Sequence, residues 1–82
     1  MATDLVHVGF GSFVVSDRIT GAQPPMSAPV QRLVRRAKQA RIVVDLTSGR
    51  RTKGVVFLDN GSILLVAITP DALRSRLGRL QS

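Results

Sequence analysis

The segment TSGRRTKG, residues 47–54, places adjacent arginines, a lysine, hydroxyl side chains and glycines between two apolar runs. The planar guanidinium of arginine can form paired hydrogen bonds to phosphate oxygens or to a guanine edge. The outer glycines match those of a phosphate-binding loop, but Val55 and Val56 stand where that motif requires lysine and serine or threonine. The segment therefore indicates either a turn that charge keeps soluble or a turn that contacts an anionic partner.

The charge balance of the whole chain favours an anionic partner. Twelve lysines and arginines stand against five acidic residues, which gives a formal net charge of +7 at pH 7 in 82 residues. Such a balance in a short chain points first to nucleic acid and second to an anionic membrane. The alternative is that the basic side chains only solubilise the surface.

Residue types that support catalysis or metal binding are scarce. The chain has no cysteine, and no nucleophile motif surrounds its one histidine, His7. Asp45 lies within an apolar run without a second carboxylate near it in the sequence, so we expect it to cap a turn or pair with an arginine. These features predict a protein that is not an enzyme and that has no cofactor, no metal and no small-molecule substrate.

The distribution of apolar residues predicts a cytoplasmic protein with no membrane partner, and a DNA-binding role would make it nucleoid-associated. The longest continuous apolar run, residues 63–68, is far shorter than the roughly 20 residues that a membrane span requires. Residues 1–5 contain an acidic residue where a secretory signal peptide carries positive charge, and no long apolar stretch follows them.

The periodicity predicts a single α+β domain over residues 1–82, with a small mixed or antiparallel sheet and the element order β-β-α-β-β-β-α. An amphipathic helix is predicted over about residues 27–40, because Ser27 can cap its first turn and Pro29 suits its start. A short C-terminal helix is predicted over about residues 70–80. Residues 22–26, which contain two prolines, are expected to form a connection.

Glycines mark two turns between apolar runs. Gly9 and Gly11 flank Phe10 and predict a tight corner between two short strands. The pair Asn60-Gly61 predicts a hairpin whose strands are continuously apolar. Both faces of these strands are therefore expected to be buried, one by the helix and the other by a neighbouring subunit. Together with the short chain, this predicts a homo-oligomer.

The pattern favours duplex DNA over other nucleic acids. The predicted helices lie at opposite ends of a set of strands, which does not match a helix-turn-helix. All three phenylalanines lie in apolar runs, so we expect them in the core and not on a stacking surface for RNA. Arginine–phosphate contacts need no aromatic residue, and a symmetric ring would repeat them. An adaptor for an acidic protein partner and an RNA-binding regulator remain as alternatives.

Three segments resemble the RemA family of bacterial regulators of biofilm-matrix genes. They are HVGFGSFVVSDR at residues 7–18, SAPVQRLV at residues 27–34 and VDLTSGRRTKGVVFLDNGSILLVAITP at residues 44–70. The resemblance implies a small α/β subunit, related to LytTR-type DNA-binding domains, that assembles into a ring around which duplex DNA wraps.

The resemblance also implies which residues contact DNA. The family's DNA-contacting arginines match Arg18, Arg50 and Arg51 in this sequence. Arg18 follows the glycine corner, and we expect it to lie beside the turn that carries Arg50 and Arg51. The remaining predicted DNA-binding residues come from the basic turn and the basic side of the first helix: Lys53, Arg32 and Arg35.

Overall fold

The strands and helices follow the predicted class, with one strand more than the sequence pattern indicates. A computed structural model describes residues 4–81. The elements are β1 Leu5–His7, β2 Phe13–Val15, β3 Ile19–Gln23, α1 Ala28–Gln39, β4 Val43–Asp45, β5 Gly54–Leu58, β6 Ile63–Val66 and α2 Pro70–Gln81, with a single-turn 3₁₀ helix at Ser16–Arg18. Residues 1–3, on which part of the signal-peptide prediction depends, and Ser82 lie outside the described residues.

The strands form two sheets. β1 and β2 make an antiparallel hairpin, and the other strands make a sheet in the order β3-β5-β6-β4. In that sheet β4 runs parallel to β6, whereas the other pairs are antiparallel. The α+β class and the mixed sheet are therefore confirmed.

The strand β3 occupies a segment for which the sequence pattern predicts no strand. The prolines predict a connection over residues 22–26, but Ala22 pairs with Val56 of β5. β3 is an edge strand with a register irregularity next to Gly21, and its own apolar alternation is weak. Pairing with the strongly apolar β5 decides its conformation, which a local pattern does not reveal.

The first helix begins with the predicted signals and ends without a glycine. The Ser27 hydroxyl accepts a hydrogen bond from the Val30 N–H at 3.3 Å, and Pro29 lies in the first turn. After Gln39 the helix gives way to Arg41, which adopts the left-handed conformation with a φ of 59°. Glycine usually occupies this position at a helix end.

The central strands β5 and β6 are buried on both faces within one chain. α1 covers one face, where the buried apolar residues are Val30, Ala37, Val55, Ile63 and Leu65. The β1–β2 hairpin and α2 cover the other face, where the buried apolar residues are Val6, Val8, Ala22, Val56, Leu64, Val66 and Leu73.

The burial of both faces is confirmed, but the expectation that a neighbouring subunit covers the second face is wrong. The N-terminal hairpin and the C-terminal helix meet there from the two ends of the chain. Each contributes only a few apolar residues, so neither segment alone indicates the layer that they form together. The predicted homo-oligomer then depends on the short chain and not on an uncovered sheet face. Among residues 4–81, neither helix is long and apolar enough to cross a membrane.

Candidate nucleic-acid interface

Residues 47–54 connect β4 to β5 and are called here the arginine turn. Because β6 lies between β4 and β5 in the sheet, this connection passes over the end of β6. The Leu46 N–H donates to the Leu65 carbonyl before the turn, and the Lys53 N–H donates to the Val66 carbonyl after it, both at 2.9 Å. The arginine turn is therefore held to the sheet at both ends.

The bend of the arginine turn is built on Thr47, which is buried. Asp45 Oδ1 accepts hydrogen bonds from the Thr47 N–H at 2.9 Å and from the Thr47 hydroxyl. Ser48 and Gly49 have φ values of 54° and 79°, and the Arg50 N–H closes the bend on the Thr47 carbonyl at 3.0 Å. Two successive central residues with positive φ are typical of a type I′ turn. The chain leaves this bend with Arg50 exposed.

Asp45 serves the backbone of the bend. The hydrogen bond from the Thr47 hydroxyl lowers the pKa of Asp45 most, the bond from the Thr47 N–H lowers it further, and the positive charge of Lys38 has a smaller effect in the same direction. Desolvation raises the pKa without outweighing these contributions. Of the two roles expected from the sequence, the structure supports the turn cap and not a pair with an arginine.

Gly9, Phe10 and Gly11 form the loop between β1 and β2 and are called here the glycine tip. Their φ values are 109°, 51° and 79°, so all three adopt positive φ. The Val8 N–H donates to the Ser12 carbonyl at 2.9 Å, and the Ser12 N–H donates to the Gly9 carbonyl at 3.0 Å. The tight corner predicted from the two glycines is confirmed.

The glycine tip and the arginine turn contact each other. Arg50 Cζ lies 3.5 Å from the centroid of the Phe10 ring, which is a cation–π arrangement. Ile68 lies close to both segments: a Cβ at Gly9 would be 3.3 Å from Ile68 Cγ2, and a Cβ at Gly54 would be 2.6 Å from the Ile68 carbonyl oxygen. The close approach at position 54 therefore requires glycine. Two motifs that are far apart in the sequence form one surface.

Two of the three phenylalanines are exposed, which corrects the expectation that all of them lie in the core. Phe10 is 48 % exposed and Phe13 is 58 % exposed, whereas Phe57 packs against the core beneath α1. Phe13 contacts the ring of His7, with 5.1 Å between the ring centroids. The exposure of Phe10 could have been predicted from the sequence, because a side chain between two glycines at the tip of a hairpin lies away from the hydrophobic core.

Basic residues line two adjoining grooves beside the arginine turn. Arg51 and Lys53 line one groove, and Arg35 and Lys38 line the other, which runs between α1 and the sheet. Thr52 lines both grooves, so the two adjoin. The structure thus places Arg35, a predicted DNA-binding residue, next to the arginine turn. It adds Lys38, which the sequence pattern does not single out.

Arg32 belongs to a different part of the surface. It lines a separate shallow depression on α1, together with Leu33 and Arg36. Arg32 is exposed, but it is not among the residues that line the grooves beside the arginine turn.

Arg18 lies at the other end of the sheet, so the expectation that it lies beside the arginine turn within one subunit is wrong. Its carbonyl accepts a hydrogen bond from the Asp59 N–H at 2.8 Å, and its Nε lies 4.0 Å from Asp59 Oδ1. The next residue, Ile19, pairs with Leu58, at the end of the five-residue strand β5 that is remote from the arginine turn. The unpredicted strand β3 explains this difference, since it begins at that remote end.

The match to known proteins includes the glycine tip, Arg18 and the arginine turn. The family model of RemA-like proteins, described as extracellular matrix regulatory protein A-like, matches residues 5–77. A relative from Synechococcus elongatus, named "Putative regulatory protein", is 42 % identical over 77 residues, which is 94 % of this chain and 88 % of the relative.

Two further relatives carry the same kind of name. The one from Dehalococcoides mccartyi is 39 % identical over 77 residues, which is 94 % of this chain and 80 % of the relative. The one from Halothermothrix orenii is 35 % identical over 77 residues, which is 94 % of this chain and 92 % of the relative. The names describe regulatory proteins and not enzymes.

Proposed function

The chain belongs to the RemA-like family, and from that premise we propose that it is a DNA-binding transcription regulator that assembles into a homo-oligomeric ring. The ring binds or wraps duplex DNA through arginine–phosphate contacts with low sequence specificity, and genes of matrix or biofilm formation are its proposed targets. The observation that carries the proposal is the braced, exposed arginine turn, with Arg50 on the glycine tip and Arg51 and Lys53 on the adjoining groove.

Within residues 4–81, no acidic side chain forms an ion pair with the cations of the arginine turn. Among the described residues, neither Arg51 nor Lys53 has a carboxylate partner; the ion pairs found there join Arg18 to Asp59 and Arg74 to Asp71. When such unpaired cations contact DNA phosphates, they release the counterions that were bound to the DNA. The affinity for DNA should therefore fall steeply as the salt concentration rises. Phosphate contacts of this kind carry no direct sequence information.

The ring is supported by the separation of the contact residues. Arg18 and the arginine turn lie at opposite ends of β5, so one subunit presents the proposed DNA-contacting arginines in two separate places. A head-to-tail assembly would bring the Arg18 end of one subunit towards the arginine turn of the next, and its closure would give a ring. Exposed apolar side chains on α1, just before β4 and within β4 provide a surface for such contacts: Leu33, Ile42 and Val44. Repetition around the ring would sum contacts that are weak one by one.

The exposure of Phe10 does not favour single-stranded RNA as the ligand. RNA-binding proteins use the faces of exposed aromatic rings to stack bases. One face of the Phe10 ring is already occupied by the guanidinium of Arg50. The ring therefore supports a cation, which is consistent with contacts to phosphate.

The proposal is tested by measuring DNA binding and assembly together. A labelled duplex of about 40 base pairs is titrated with wild-type protein and with the Arg50→Ala/Arg51→Ala variant across a salt series, with fluorescence anisotropy as the readout. Light scattering gives the mass of each protein. We expect tight binding at low salt, a steep dependence of log affinity on log salt, and a much flatter dependence for the variant at unchanged mass.

A folded wild-type oligomer that fails to bind the duplex at low salt would show that the DNA-binding proposal is wrong. The basic grooves would then require another anionic partner, and binding assays with single-stranded RNA and with acidic proteins would follow. A wild-type monomer that binds DNA would instead refute the ring alone.

A further inference from the structure

We propose that Phe10 is a positioning residue for Arg50: its ring holds the guanidinium in the orientation in which Arg50 meets DNA. This inference depends on the proposed function, because it assigns a role to Phe10 in that same contact. It predicts that the glycine tip acts in DNA binding without contributing any charge.

The contact geometry supports this role. The guanidinium carbon of Arg50 lies 3.5 Å above the centre of a ring that is itself half-exposed. An exposed arginine samples many rotamers, and binding must restrict them at a cost in entropy. Stacking on a fixed ring removes part of that freedom before DNA arrives, so less is given up on binding. Stacking also leaves the in-plane N–H groups of the guanidinium available to phosphate oxygens.

The backbone of Phe10 supports the same conclusion. Its φ of 51° lies in the left-handed region, which is costly for a bulky side chain and easy for glycine. Strained residues of this kind persist where the surrounding structure determines them, and they concentrate at functional sites. Gly9 and Gly11 on either side show that small residues suit this loop. The aromatic side chain at position 10 therefore serves its contact with Arg50 and not the fold of the loop.

The glycine tip is held in place from α2 through His7. The His7 Nε2 accepts a hydrogen bond from the Gly11 N–H at 3.1 Å, which fixes the far side of the tip. Arg76 of α2 donates from its guanidinium to the His7 carbonyl, and the same nitrogen lies 3.4 Å from His7 Nδ1. A continuous set of contacts thus runs from Arg76 through His7 and the tip to Arg50.

A double-mutant cycle tests the inference. Affinity for the 40-base-pair duplex is measured for Phe10→Leu, Phe10→Tyr, Arg50→Ala and the Phe10→Leu/Arg50→Ala variant. Phe10→Leu should weaken binding by about two- to fivefold for each subunit that touches DNA, as expected for an exposed cation–π pair, whereas Phe10→Tyr should bind like wild type. Adding Phe10→Leu to Arg50→Ala should weaken binding no further, because the ring then has nothing to position.

Phe13→Leu is the matched control. Phe13 is at least as exposed, lies in the same hairpin and contacts His7 instead of Arg50. Provided that the NMR shift of the Gly11 amide proton shows its hydrogen bond to His7 to be retained, Phe13→Leu should leave DNA affinity unchanged. A second readout is independent of DNA: the Arg50 side-chain protons should show an upfield ring-current shift in NMR spectra that Phe10→Leu removes and Phe13→Leu preserves.

The possible failures are distinguishable. If wild-type protein binds DNA and Phe10→Leu binds equally well, the positioning role is wrong while the proposed function stands. Effects of Phe10→Leu and Arg50→Ala that simply add would also refute it, because the two residues would then act separately. If wild-type protein does not bind DNA, the proposed function is wrong and the role of Phe10 falls with it.

Discussion

The two ends of strand β5 each combine arginine, aspartate and a glycine-containing turn, but they use them differently. At one end Asp45 bonds to the backbone and hydroxyl of Thr47, and the arginine turn extends beyond it with Arg50 stacked on the glycine tip. At the other end Asp59 faces the Arg18 guanidinium, with 4.0 Å between Nε and Oδ1. Asp45 thus fixes the backbone of the arginine turn, whereas Asp59 partly offsets the positive charge of Arg18.

The placement of a carboxylate therefore decides which cations are available to a ligand. The hairpin turn after β5 makes the same type of side-chain to backbone hydrogen bond with a neutral group, since Asn60 Oδ1 accepts from the Ser62 N–H at 2.9 Å. Because Asn60 performs that task, Asp59 is left to face Arg18. Composition alone would count the two aspartates as equivalent.

The largest expected effect comes from Gly54→Ala, which disturbs the point where the arginine turn ends and β5 begins. Gly54→Ala places a Cβ 2.6 Å from the Ile68 carbonyl oxygen, which cannot yield without moving backbone. We expect the free energy of unfolding, measured by chemical denaturation, to fall by about 1–3 kcal/mol, together with weaker DNA binding.

Gly78→Ala is the control for that substitution. Gly78 is an exposed residue of α2. Among the described residues, no atom other than those of its chain neighbours and its own helix backbone lies within 4 Å of the position of a Cβ, so alanine there should stabilise the protein by about 0.5–1 kcal/mol. If Gly54→Ala were as stable as Gly78→Ala, the close packing that defines the arginine-turn end would be refuted.

An intermediate effect is expected at the Arg18 end. Asp59→Asn removes the carboxylate that faces Arg18, so DNA affinity at fixed salt should rise by about two- to fivefold, in line with the modest strength of exposed ion pairs. Asp71→Asn makes the same change in net charge on α2, where Asp71 pairs with Arg74. Anisotropy should show a smaller gain for Asp71→Asn; equal gains would mean that net charge and not Arg18 is responsible.

The smallest expected effect is that low pH weakens the bend of the arginine turn. The folded-state pKa of Asp45 is lowered by Thr47, so this contribution to stability is complete above the pKa of an unfolded aspartate and disappears as pH falls through the lower folded value. The bend should therefore be intact at neutral pH and loosen only below about pH 4.

NMR can follow this transition at the Thr47 amide proton. Its chemical shift should move with the titration of Asp45 and show a midpoint below that of an ordinary aspartate. Asp45→Asn should abolish the transition, because the amide oxygen still accepts from the Thr47 N–H but does not titrate. The Ser62 amide, bonded to Asn60, is the internal control. A midpoint at or above the ordinary value would refute the hydrogen-bonded role of Asp45.

Features with strong local signals could be predicted from the sequence. Ser27 and Pro29 predict the start of α1, and Asn60-Gly61 predicts the β5–β6 hairpin. Both predictions succeed because a helix start and a hairpin turn depend on neighbours within a few residues. The basic turn could be recognised in the same way. Its bend is formed by hydrogen bonds between residues two and three apart, from Thr47 to Asp45 and from the Arg50 N–H to the Thr47 carbonyl.

Features decided by distant contacts could not be predicted in this way. β3 forms because β5 pairs with it, and that strand carries Arg18 to the far end of the sheet. The second sheet face is covered by segments from the two ends of the chain, and the cation–π contact of Arg50 with Phe10 is made between two different loops. None of these pairings leaves a periodic pattern in the residues that make it.

The sharpest test of the arginine turn as the DNA-binding element compares two arginines that carry the same charge in different places. The dependence of log affinity for duplex DNA on log salt is measured for wild type, Arg51→Ala in the arginine turn and Arg36→Ala on α1, with oligomer mass checked for each. We predict that Arg51→Ala lowers the slope by about 0.9 for each phosphate that the protein no longer neutralises, while Arg36→Ala leaves it close to wild type. Equal slopes for the two variants would contradict this prediction, because net charge and not the arginine turn would then govern binding.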